Sequence, residues 1–334
     1  MRKTRIAVVG AGTIGRAHME ARAASATCSR SPRADPSPSA RADYRSLDEL
    51  LAKDRPDGVV IATPNRLHLP QALECLAAGV AVLIEKPVTA TVAEGEQLLK
   101  QEGRVLVGHH RAHSPIMAQA RRVIERGRLG RLVSVMGSAL FHKPDSYFDE
   151  GPWRRAPGGG PILINLIHEI HNLRMLCGEI VAVQAFASNA VRRFEVEDSA
   201  AINLRFASGA LGTFMLSDTA ACGRSWEQTA RENPIYASYD DEDCYVISGT
   251  RGSLSIPTMR LDTFAGERSW RTPFQRERLS LDREDPIRLQ MEHFGAVARG
   301  EVEPLVSAAD GVANVRVTQA IGEASKTGRT VTLQ

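Results

Sequence analysis

The chain has 334 residues, 43% hydrophobic and 24% charged, which is typical of a globular protein long enough for two domains. Its net charge of +3 is spread over interspersed basic and acidic residues, which does not favour nucleic-acid binding, and its five separated cysteines predict reduced thiols in a cytoplasmic protein. No apolar run approaches the ~20 residues of a membrane span, and the apolar stretch near the N-terminus is too short for a signal peptide.

Short apolar strands alternate with helices over the first part of the chain. Strands are predicted at residues 5–9, 58–62, 80–84 and 104–108. Helices are predicted at residues 13–24, 47–53, 68–79 and 91–102. This alternation predicts an α/β Rossmann domain over residues 1–118, with a doubly wound parallel sheet whose ligands bind at the carboxyl ends of the strands.

The pattern changes after residue 118, and residues 119–334 are predicted to form a second domain. After a helix at the junction and one strand, a Gly-rich turn starts a long helix that ends near Cys177. Further strands are predicted at residues 180–188, 199–207, 210–217, 244–248 and 253–256, and helices near 286–299 and 309–326. Residues 220–243 and 262–283 are predicted to be irregular. The second domain is therefore predicted to be α+β, with a large, mostly antiparallel open sheet.

A glycine motif, Gly10-x-Gly12-x-x-Gly15, joins the first strand to the first helix. The first glycine permits the tight turn, the second lets the backbone approach a pyrophosphate, and the third lets the helix pack on the strand. Thr13 and Ile14 begin the helix, whose N-terminus faces the anion. The motif in this position predicts dinucleotide binding.

Asp35 lies twenty residues after Gly15, where this fingerprint expects an acidic residue that binds the adenosine ribose. Asp35 favours NAD, but Arg30, Arg33 and Arg41 offer an alternative site for the 2′-phosphate of NADP. The segment at residues 26–46 is unusual, because two arginines and a proline do not suit a central parallel strand. It is either an irregular edge or a local sequence alteration that weakens cofactor binding.

Three later strands of the sheet also end in polar residues. The candidates at these ends are Thr63, Pro64, Asn65 and His68; Glu85 and Lys86, followed by Pro87; and His109, His110 and Arg111. We expect the first two groups to contact the cofactor and Glu85 to brace its turn. Lys86 can hold a substrate oxygen and move a proton while a nicotinamide moves a hydride, and His110 and Arg111 are expected to contact the substrate.

Together, the glycine motif, Ala62-Thr63-Pro64-Asn65-x-x-His68 and Glu85-Lys86-Pro87 resemble the glucose–fructose oxidoreductase / inositol dehydrogenase / MocA family. Gly158-Gly159-Gly160 followed by His168 resembles the second-domain signature of that family. The resemblance extends over nearly the whole chain. It implies an NAD(P)-dependent dehydrogenase or reductase that acts on a sugar, cyclitol or related polyol. It also implies a homodimer or homotetramer formed through the open face of the C-terminal sheet.

Several residues of the second domain are expected to act at the active site. His168 is the expected base that takes the hydroxyl proton, with Lys86 stabilising the oxygen. Asn165 is expected to bind a substrate hydroxyl. Trp153 and Arg154 could cover the nicotinamide, or Trp153 could pack into an interface.

Three departures from the family pattern leave the substrate and the rate open. The first is the segment at residues 26–46. The second is Ile164, which stands where the family often has an aspartate four residues before the histidine, with Asn165 next to it. The third is His171, where an acidic residue is common in the family.

Several alternatives remain open at this stage. The protein could bind a dinucleotide with little or no catalysis, it could oxidise a non-sugar cyclic dihydrodiol, or, more remotely, it could be a nicotinamide-dependent hydrolase. His168, Glu169 and His171 also permit a metal site, although no residue is fixed as a third ligand, and no metal is predicted.

Overall fold

The computed structural model describes residues 3–37 and 42–333; the side chains of Arg30 and Ser31 lie outside this description. The chain forms two compact units. The first comprises the residues up to His113 together with Asp285–Arg316, and the second comprises Ser114–Glu284 and the residues from Val317 onward. Within the described ranges, no helix is long and apolar enough to span a bilayer.

Helices and strands alternate in the N-terminal part of the chain, and strands dominate the middle. The strands are β1 (Thr4–Val9), β2 (Cys28–Ala34), β3 (Gly58–Ile61), β4 (Ala81–Glu85), β5 (Val105–Gly108), β6 (Leu132–Leu140), β7 (Ile180–Ser188), β8 (Ser199–Phe206), β9 (Leu211–Ser217), β10 (Tyr245–Gly249), β11 (Gly252–Ile256), β12 (Arg260–Thr263), β13 (Gln275–Arg278) and β14 (Val331–Thr332). The helices are α1 (Thr13–Ala24), α2 (Leu47–Lys53), α3 (His68–Ala77), α4 (Val92–Leu98), α5 (Pro115–Glu125), α6 (Asp145–Asp149), α7 (Pro161–Ile164), α8 (Leu166–Cys177), α9 (Trp226–Thr229), α10 (Pro286–Arg299) and α11 (Ala308–Thr327).

The sheet of the first unit is parallel, with its described strands in the order β2-β1-β3-β4-β5. Strands β3 and β4 are buried along their whole length. Their continuous Val, Ile and Leu runs are expected where both faces of a parallel sheet are covered. The predicted doubly wound parallel sheet is confirmed, and its carboxyl ends carry the candidate cofactor residues.

Strand β2 forms despite the arginines and the proline in its sequence. It lies at the edge of the sheet and pairs in parallel with β1, with an irregularity between Ile6 and Val8. Ile6 pairs with Arg30 and Val8 pairs with Arg33, so one additional residue is accommodated next to Pro32. An edge strand tolerates a proline because the missing amide donor has no neighbouring strand to reach. Of the two interpretations of this segment, the irregular edge agrees with the structure.

Residues 285–316 belong to the first unit, whereas a single boundary after residue 118 assigns them to the second. Helix α10 packs against α1 and against strands of the parallel sheet. A Cβ atom on Gly58 would lie 2.9 Å from the ring of Phe294, so this glycine permits the close packing of β3 and α10. The amphipathic pattern of α10 predicts a buried face, but it does not identify the sheet that the helix covers.

The described strands of the second unit form a mixed sheet in the order β13-β12-β11-β10-β6-β9-β8-β7-β14. Strand β6 runs parallel to β9, and the other neighbouring strands are antiparallel. The large, mostly antiparallel sheet is therefore confirmed. The sequence analysis missed β12, β13 and β14, which are short and carry little apolar alternation. Strand β13 is fully exposed, so it forms by pairing with a sheet edge rather than by burial.

The long helix predicted after the Gly-rich turn is interrupted at Asn165. Helix α7 ends before this residue and α8 begins after it, and its backbone angles are φ −112° and ψ −56°. The short helix α7 begins at Pro161, and Glu197 Oε1 accepts a hydrogen bond of 2.8 Å from the amide of Ile162. The interruption lies three residues before His168, at a residue that is half-buried.

Helix α8 is buried along nearly its whole length and carries polar residues into the core of the second unit. The hydroxyl of Tyr245 on β10 donates a hydrogen bond to the buried carboxylate of Glu169. Asn172 Nδ2 donates to the same hydroxyl oxygen at 3.1 Å. Because a buried polar group is costly without a partner, these bonds fix α8, and with it His168, against the sheet.

Replacing Tyr245 with Phe removes the hydroxyl that Glu169 and Asn172 share. We expect the free energy of unfolding to fall by about 1–3 kcal/mol, because a buried carboxylate loses a donor. Urea denaturation followed by circular dichroism measures this change. Tyr239 is 47% exposed and provides the matched Tyr→Phe control, which is expected to have no measurable effect. Equal stability of the two variants would contradict the importance of the Tyr245 bond.

Candidate active site

The glycine motif forms a loop with little space for side chains at two of its three positions. Gly10 has φ +96°, and a Cβ atom there would lie 2.4 Å from the carbonyl oxygen of Ala62. A Cβ atom on Gly15 would lie 2.0 Å from the carbonyl oxygen of Gly10. At Gly12, by contrast, a Cβ atom would meet no described atom within 4 Å. The open position is the one at which a pyrophosphate is expected to approach the backbone.

The N-terminus of α1 is suited to an anion. Gly12 is its N-cap, and neither a side-chain cap nor an acidic residue lies in the first turn. The first amides of a helix have no partner within the helix and carry a partial positive charge. Thr13 and Ile14 provide two of these amides, so the loop and helix fit the pyrophosphate of a dinucleotide.

Asp35 lies directly after β2 and next to the glycine loop. Its carboxylate accepts hydrogen bonds of 2.7 Å from the amide of Ala11 and 2.8 Å from the amide of Ser37. This position agrees with the role predicted for Asp35 at the adenosine ribose. Of the three arginines that were predicted as alternatives, Arg33 lies 3.8 Å from the carboxylate of Asp43. Arg41 lies outside the described residues, as does the side chain of Arg30.

Contacts with side chains of α3 hold the turn after β3 in place. Thr63 Oγ1 donates a hydrogen bond of 2.6 Å to Gln71, and Pro64 precedes a 3-10 turn that begins at Asn65. The two ring nitrogens of His68 lie 2.8 Å and 2.9 Å from the carbonyl oxygens of Pro87 and Thr63. Burial lowers the pKa of His68, against the opposing effect of these two contacts.

His68 therefore joins the turn after β3 to the turn after β4. It is 1% exposed and directs both ring nitrogens to backbone carbonyls, because it lies on the inner face at the start of α3. The direct cofactor contact predicted for His68 stays a prediction. Its contacts with Pro87 and Thr63 hold the two turns together.

Glu85 ends β4 and is buried next to His18 of α1. Its Oε1 lies 2.7 Å from His18 Nε2, and its Oε2 accepts a bond of 3.2 Å from the amide of Lys86. Burial acts to raise the pKa of the Glu85 carboxyl, but the hydrogen bond and charge of His18 act against it. With the added charges of Lys86 and His110, the pKa lies below its usual range, so Glu85 is a carboxylate.

Lys86 is half-buried and follows directly on this carboxylate. The peptide bond between Lys86 and Pro87 is cis. Two interactions fix the turn, namely the pairing of Glu85 with His18 and the contact of His68 with the Pro87 carbonyl. A lysine on so fixed a turn can hold the oxygen of a reacting group without reorganising during the reaction.

The end of β5 carries the other predicted substrate residues of the first unit. A 3-10 turn covers His110–His113, in which His110 is half-buried and Arg111 is 3% exposed. His109 Nε2 lies 3.0 Å from the side-chain Nδ2 of Asn314. His109 therefore lies within the first unit, and the substrate contacts of His110 and Arg111 stay predictions.

In the second unit, Trp153 and Arg154 lie on a 3-10 turn at Pro152–Arg155. Trp153 is 55% exposed. The guanidinium of Arg154 lies 3.7 Å from the ring centre of Tyr147 and donates a hydrogen bond to the Tyr147 carbonyl. Arg154 is thus anchored within the second unit, and the predicted covering of a nicotinamide by these two residues stays a prediction.

His168 lies near the start of α8 and is 7% exposed. Its amide donates a bond of 3.1 Å to the carbonyl of Asn165. Glu169, which the sequence left open as a metal ligand, is bound by Tyr245 instead. Within residues 3–37 and 42–333, no three His, Cys, Asp or Glu side chains are arranged to hold a metal ion.

The sequence analysis missed a group of charged residues close to Asn165. Lys143, which follows β6, donates a hydrogen bond of 2.7 Å to Asn165 Oδ1 and lies 3.5 Å from Asp218. Arg192 Nε donates a bond of 2.8 Å to Asp218. One signal could have identified Lys143: it precedes a proline at the end of a strand, as Lys86 does.

Alanine substitutions can separate the role of the glycines in cofactor binding from their role in the packing of the loop. Gly12→Ala is expected to lower the affinity for NADH about tenfold or more, because its Cβ enters the space for the pyrophosphate. Its free energy of unfolding should change by less than about 1 kcal/mol. Gly15→Ala is expected to lower both quantities, because its Cβ would meet the Gly10 carbonyl. Quenching of tryptophan fluorescence and urea denaturation measure the two effects.

Gly266 is the matched control for these variants, because a Cβ atom there also meets no described atom within 4 Å. Gly266→Ala should leave both quantities unchanged. Unchanged NADH affinity in Gly12→Ala would show that this loop does not bind the dinucleotide.

Comparison with known proteins agrees with the geometry of both units. Residues 4–108 match the model of an oxidoreductase family with an NAD-binding Rossmann fold, and residues 117–255 match the GFO/IDH/MocA C-terminal domain. The 1,5-anhydro-D-fructose reductase of Ensifer adhaerens is 24% identical over 295 residues, which cover 86% of this chain and 83% of that protein. The inositol 2-dehydrogenase of Rhizobium meliloti is 24% identical over 270 residues, or 77% of this chain and 76% of the relative.

The fold also has close counterparts among solved structures. An oxidoreductase from Agrobacterium radiobacter, solved in complex with NAD+, L-tartaric acid and magnesium, has a TM-score of 0.84 and 18% identity. The match covers 99% of this chain and 98% of the other. Two matching family models, one for each part of the chain, thus agree with the glycine loop, the strand-end lysine and the mixed sheet. The chain belongs to the glucose–fructose oxidoreductase / inositol dehydrogenase / MocA family of NAD-binding oxidoreductases.

Proposed function

We propose that this oxidoreductase transfers a hydride between a nicotinamide and the carbinol carbon of a sugar, a cyclitol or a similar polyol. The observation that carries the proposal is Lys86, on a fixed turn at the carboxyl end of β4 in a dinucleotide-binding sheet. The names of relatives, 1,5-anhydro-D-fructose reductase and inositol 2-dehydrogenase among them, support a polyhydroxylated substrate.

The proposed chemistry needs one group that takes a proton and one that stabilises an oxygen. A hydride leaves a carbinol carbon as its hydroxyl loses a proton, so a base and a cation are both required. His168 is the proposed base, because a histidine ordinarily titrates close to neutral pH. Lys86 is the proposed cation, and Glu85 keeps it in place. NAD supplies the hydride acceptor when it is bound.

NAD is the favoured cofactor. The carboxylate of Asp35 next to the glycine loop suits the two ribose hydroxyls of NAD and would repel a 2′-phosphate. NADP remains the alternative, since relatives include a D-xylose 1-dehydrogenase that uses NADP+. Burial raises the pKa of Cys75 and Cys177 to about 12, which makes these two thiols poor nucleophiles.

Two other functions compete with this proposal: dinucleotide binding with little catalysis, and oxidation of a non-sugar dihydrodiol. A binding protein with little catalysis was suggested by the segment at residues 26–46, but β2 forms there and brings Asp35 to the glycine loop. A cyclic dihydrodiol as substrate was suggested by the apolar residues next to His168 on α8, but Leu166 and Ile170 pack into the hydrophobic core of the second unit. Comparing turnover of inositols and aldoses with that of a dihydrodiol separates the two substrate classes.

Replacing Lys86 with Met and His168 with Asn tests the proposed roles. Each change is expected to lower kcat about 100-fold or more, because each removes a group that acts in the transition state. The affinity for NADH should change less than threefold. Absorbance at 340 nm measures turnover, and fluorescence quenching measures NADH binding. Lys100→Met, at an exposed lysine, is the matched control.

Equal losses of turnover and of NADH binding would contradict the catalytic roles, because they would indicate a damaged cofactor site. NADH binding without turnover of any polyol in the unmodified protein would favour the binding protein.

We also propose that the open face of the mixed sheet joins two or more copies of this chain. Phe186 on β7, Ala201 on β8 and Met215 on β9 are neighbours across the strands and are all exposed. Phe186 is 74% exposed and Met136 on β6 is 59% exposed. Contiguous exposed apolar residues of this kind mark interaction surfaces.

Phe186→Glu is expected to dissociate the oligomer, because it places a charge on the apolar face. Size-exclusion chromatography with light scattering measures the mass. Ile235→Glu, at a position that is 76% exposed but lies outside the strands, is the matched control and should leave the mass unchanged. A monomeric unmodified protein would contradict the proposed assembly.

A further inference from the structure

Glu197 caps the start of α7 from a distant part of the chain. Helix α7 begins at Pro161, after Gly160, which has no side chain that could cap the helix. Instead, Glu197 Oε1 accepts a hydrogen bond of 2.8 Å from the amide of Ile162, which lies 35 residues earlier in the sequence. Because the first amides of a helix have no partner within it, Glu197 supplies the acceptor that α7 lacks.

The same carboxyl group lies against the Gly-rich turn that leads into α7. A Cβ atom on Gly160 would lie 2.4 Å from Glu197 Oε1 and 2.7 Å from Oε2. The backbone of Gly160 has φ −71° and ψ 153°, which any residue can adopt, so the contact with Glu197 is what requires a glycine here. A Cβ atom on Gly159 would instead meet the backbone, at 2.5 Å from the carbonyl oxygen of Trp153. The turn is therefore packed on both sides.

The position of Glu197 is fixed by the mixed sheet. Glu197 is half-buried and lies two residues before the start of β8. The next residue, Asp198, is 1% exposed and accepts hydrogen bonds of 3.0 Å from the amides of Val191 and Arg192. The amide of Asp198 donates a further bond of 2.8 Å to the carbonyl of Ser188 at the end of β7. Glu197 thus connects α7 to a fixed point of the sheet.

The contact with α7 requires an acceptor oxygen rather than a full negative charge. Burial raises the pKa of Glu197, the hydrogen bond from Ile162 acts against this effect, and the charge of Asp218 adds to the increase. A carboxylate, a carboxylic acid and an amide all offer an oxygen to the Ile162 N–H. Glutamine is therefore a conservative replacement for Glu197.

The other end of α7 leads directly to the proposed base. The helix ends before Asn165, whose carbonyl oxygen accepts a hydrogen bond of 3.1 Å from the amide of His168. Because the helix is interrupted at Asn165, the packing of α8 does not by itself fix α7. A shift of α7 would reach Asn165 and the first turn of α8. A displacement of about 1 Å at the reacting groups can lower a rate about 100-fold.

We propose that Glu197 is a positioning residue for the reaction, and that it holds α7 so that Asn165 and His168 stay in their productive arrangement. The proposal rests on the proposed hydride transfer and adds a residue that acts through α7 rather than on the substrate. It also assigns a purpose to Gly160, which leaves space for the carboxyl group that caps the helix.

Replacing Glu197 with Ala and with Gln tests this role. Glu197→Ala is expected to lower kcat about tenfold or more, because α7 loses its cap. The affinity for NADH should change less than about threefold, because the glycine loop belongs to the first unit. Glu197→Gln keeps the acceptor oxygen, so its kcat should stay within about threefold of that of the unmodified protein. Glu195→Ala, at an exposed glutamate in the same segment, is the matched control.

Turnover is followed at 340 nm with NAD+ and the best substrate among myo-inositol, D-glucose and D-xylose. It is expressed per NADH-binding site, so that unfolded protein does not count as lost activity. Three results would overturn the proposal: an unchanged kcat in Glu197→Ala, equal losses of kcat and of NADH affinity in that variant, or a loss in Glu197→Gln as large as that in Glu197→Ala.

A double-mutant cycle tests the contact itself. Gly160→Ala is expected to lower the urea midpoint of unfolding, because its Cβ atom meets the Glu197 carboxyl group. In Glu197→Ala this space is free, so the same glycine substitution should shift the midpoint by about half as much or less. Gly159→Ala is the control, because its Cβ atom meets backbone and its effect should be equal in both backgrounds. An equal effect of Gly160→Ala in both backgrounds would overturn the proposal.

Failure of the proposed hydride transfer can be recognised separately. If no substrate is turned over, the ring resonances of His168 are followed by NMR in the complex with NADH, after assignment with His168→Asn. Glu197→Ala should move these resonances, and Glu197→Gln, which removes the same charge, should restore them. This result without turnover would support the positioning role while rejecting the enzymatic function. Unmoved resonances in Glu197→Ala would overturn the positioning role.

Discussion

The hydrogen bond between His18 and Glu85 connects the two functional parts of the first unit. His18 lies on α1, the helix that begins at the glycine loop, and Glu85 ends the strand that leads to Lys86. Both side chains are almost completely buried, so each would be costly without the other. Because Glu85 is a carboxylate, it accepts the bond, and His18 Nε2 donates it. The position of the lysine is thereby linked to the helix whose N-terminus suits a pyrophosphate.

Backbone contacts also position the glycine loop and the turns after β3 and β4. Because these contacts are close, the residues that make them are small or buried. Gly10 and Gly15 have no space for a side chain, so the turn before α1 lies close to the end of β3 and to the start of the helix. His68 adds the contact between the turns after β3 and β4. Three strand ends are therefore held by buried bonds while their outer atoms stay accessible. This is the preorganisation that a hydride transfer needs, since the groups around the reacting atoms do not have to rearrange.

Much of the first unit could be predicted from the sequence, because its signals are local. The strands are apolar runs, the glycine motif has a fixed spacing, and Lys86 follows a strand directly. Where the prediction differed, tertiary contacts were responsible. The sequence does not show that His68 contacts two backbone carbonyls, and strand β2 lies at the edge of the sheet, where Pro32 is tolerated. The placement of α10 on the first sheet is likewise a contact between distant segments.

The second unit was less predictable, because its structure depends more on contacts between segments that are distant in the sequence. Asn165 interrupts a helix that its neighbours favour, and the residue that fixes its side chain, Lys143, lies twenty-two positions earlier in the chain. Lys86 and Lys143 both precede a proline at a strand end, yet their surroundings differ. Lys86 is half-buried next to the carboxylate of Glu85, whereas Lys143 is buried between an amide oxygen and a carboxylate that it shares with Arg192.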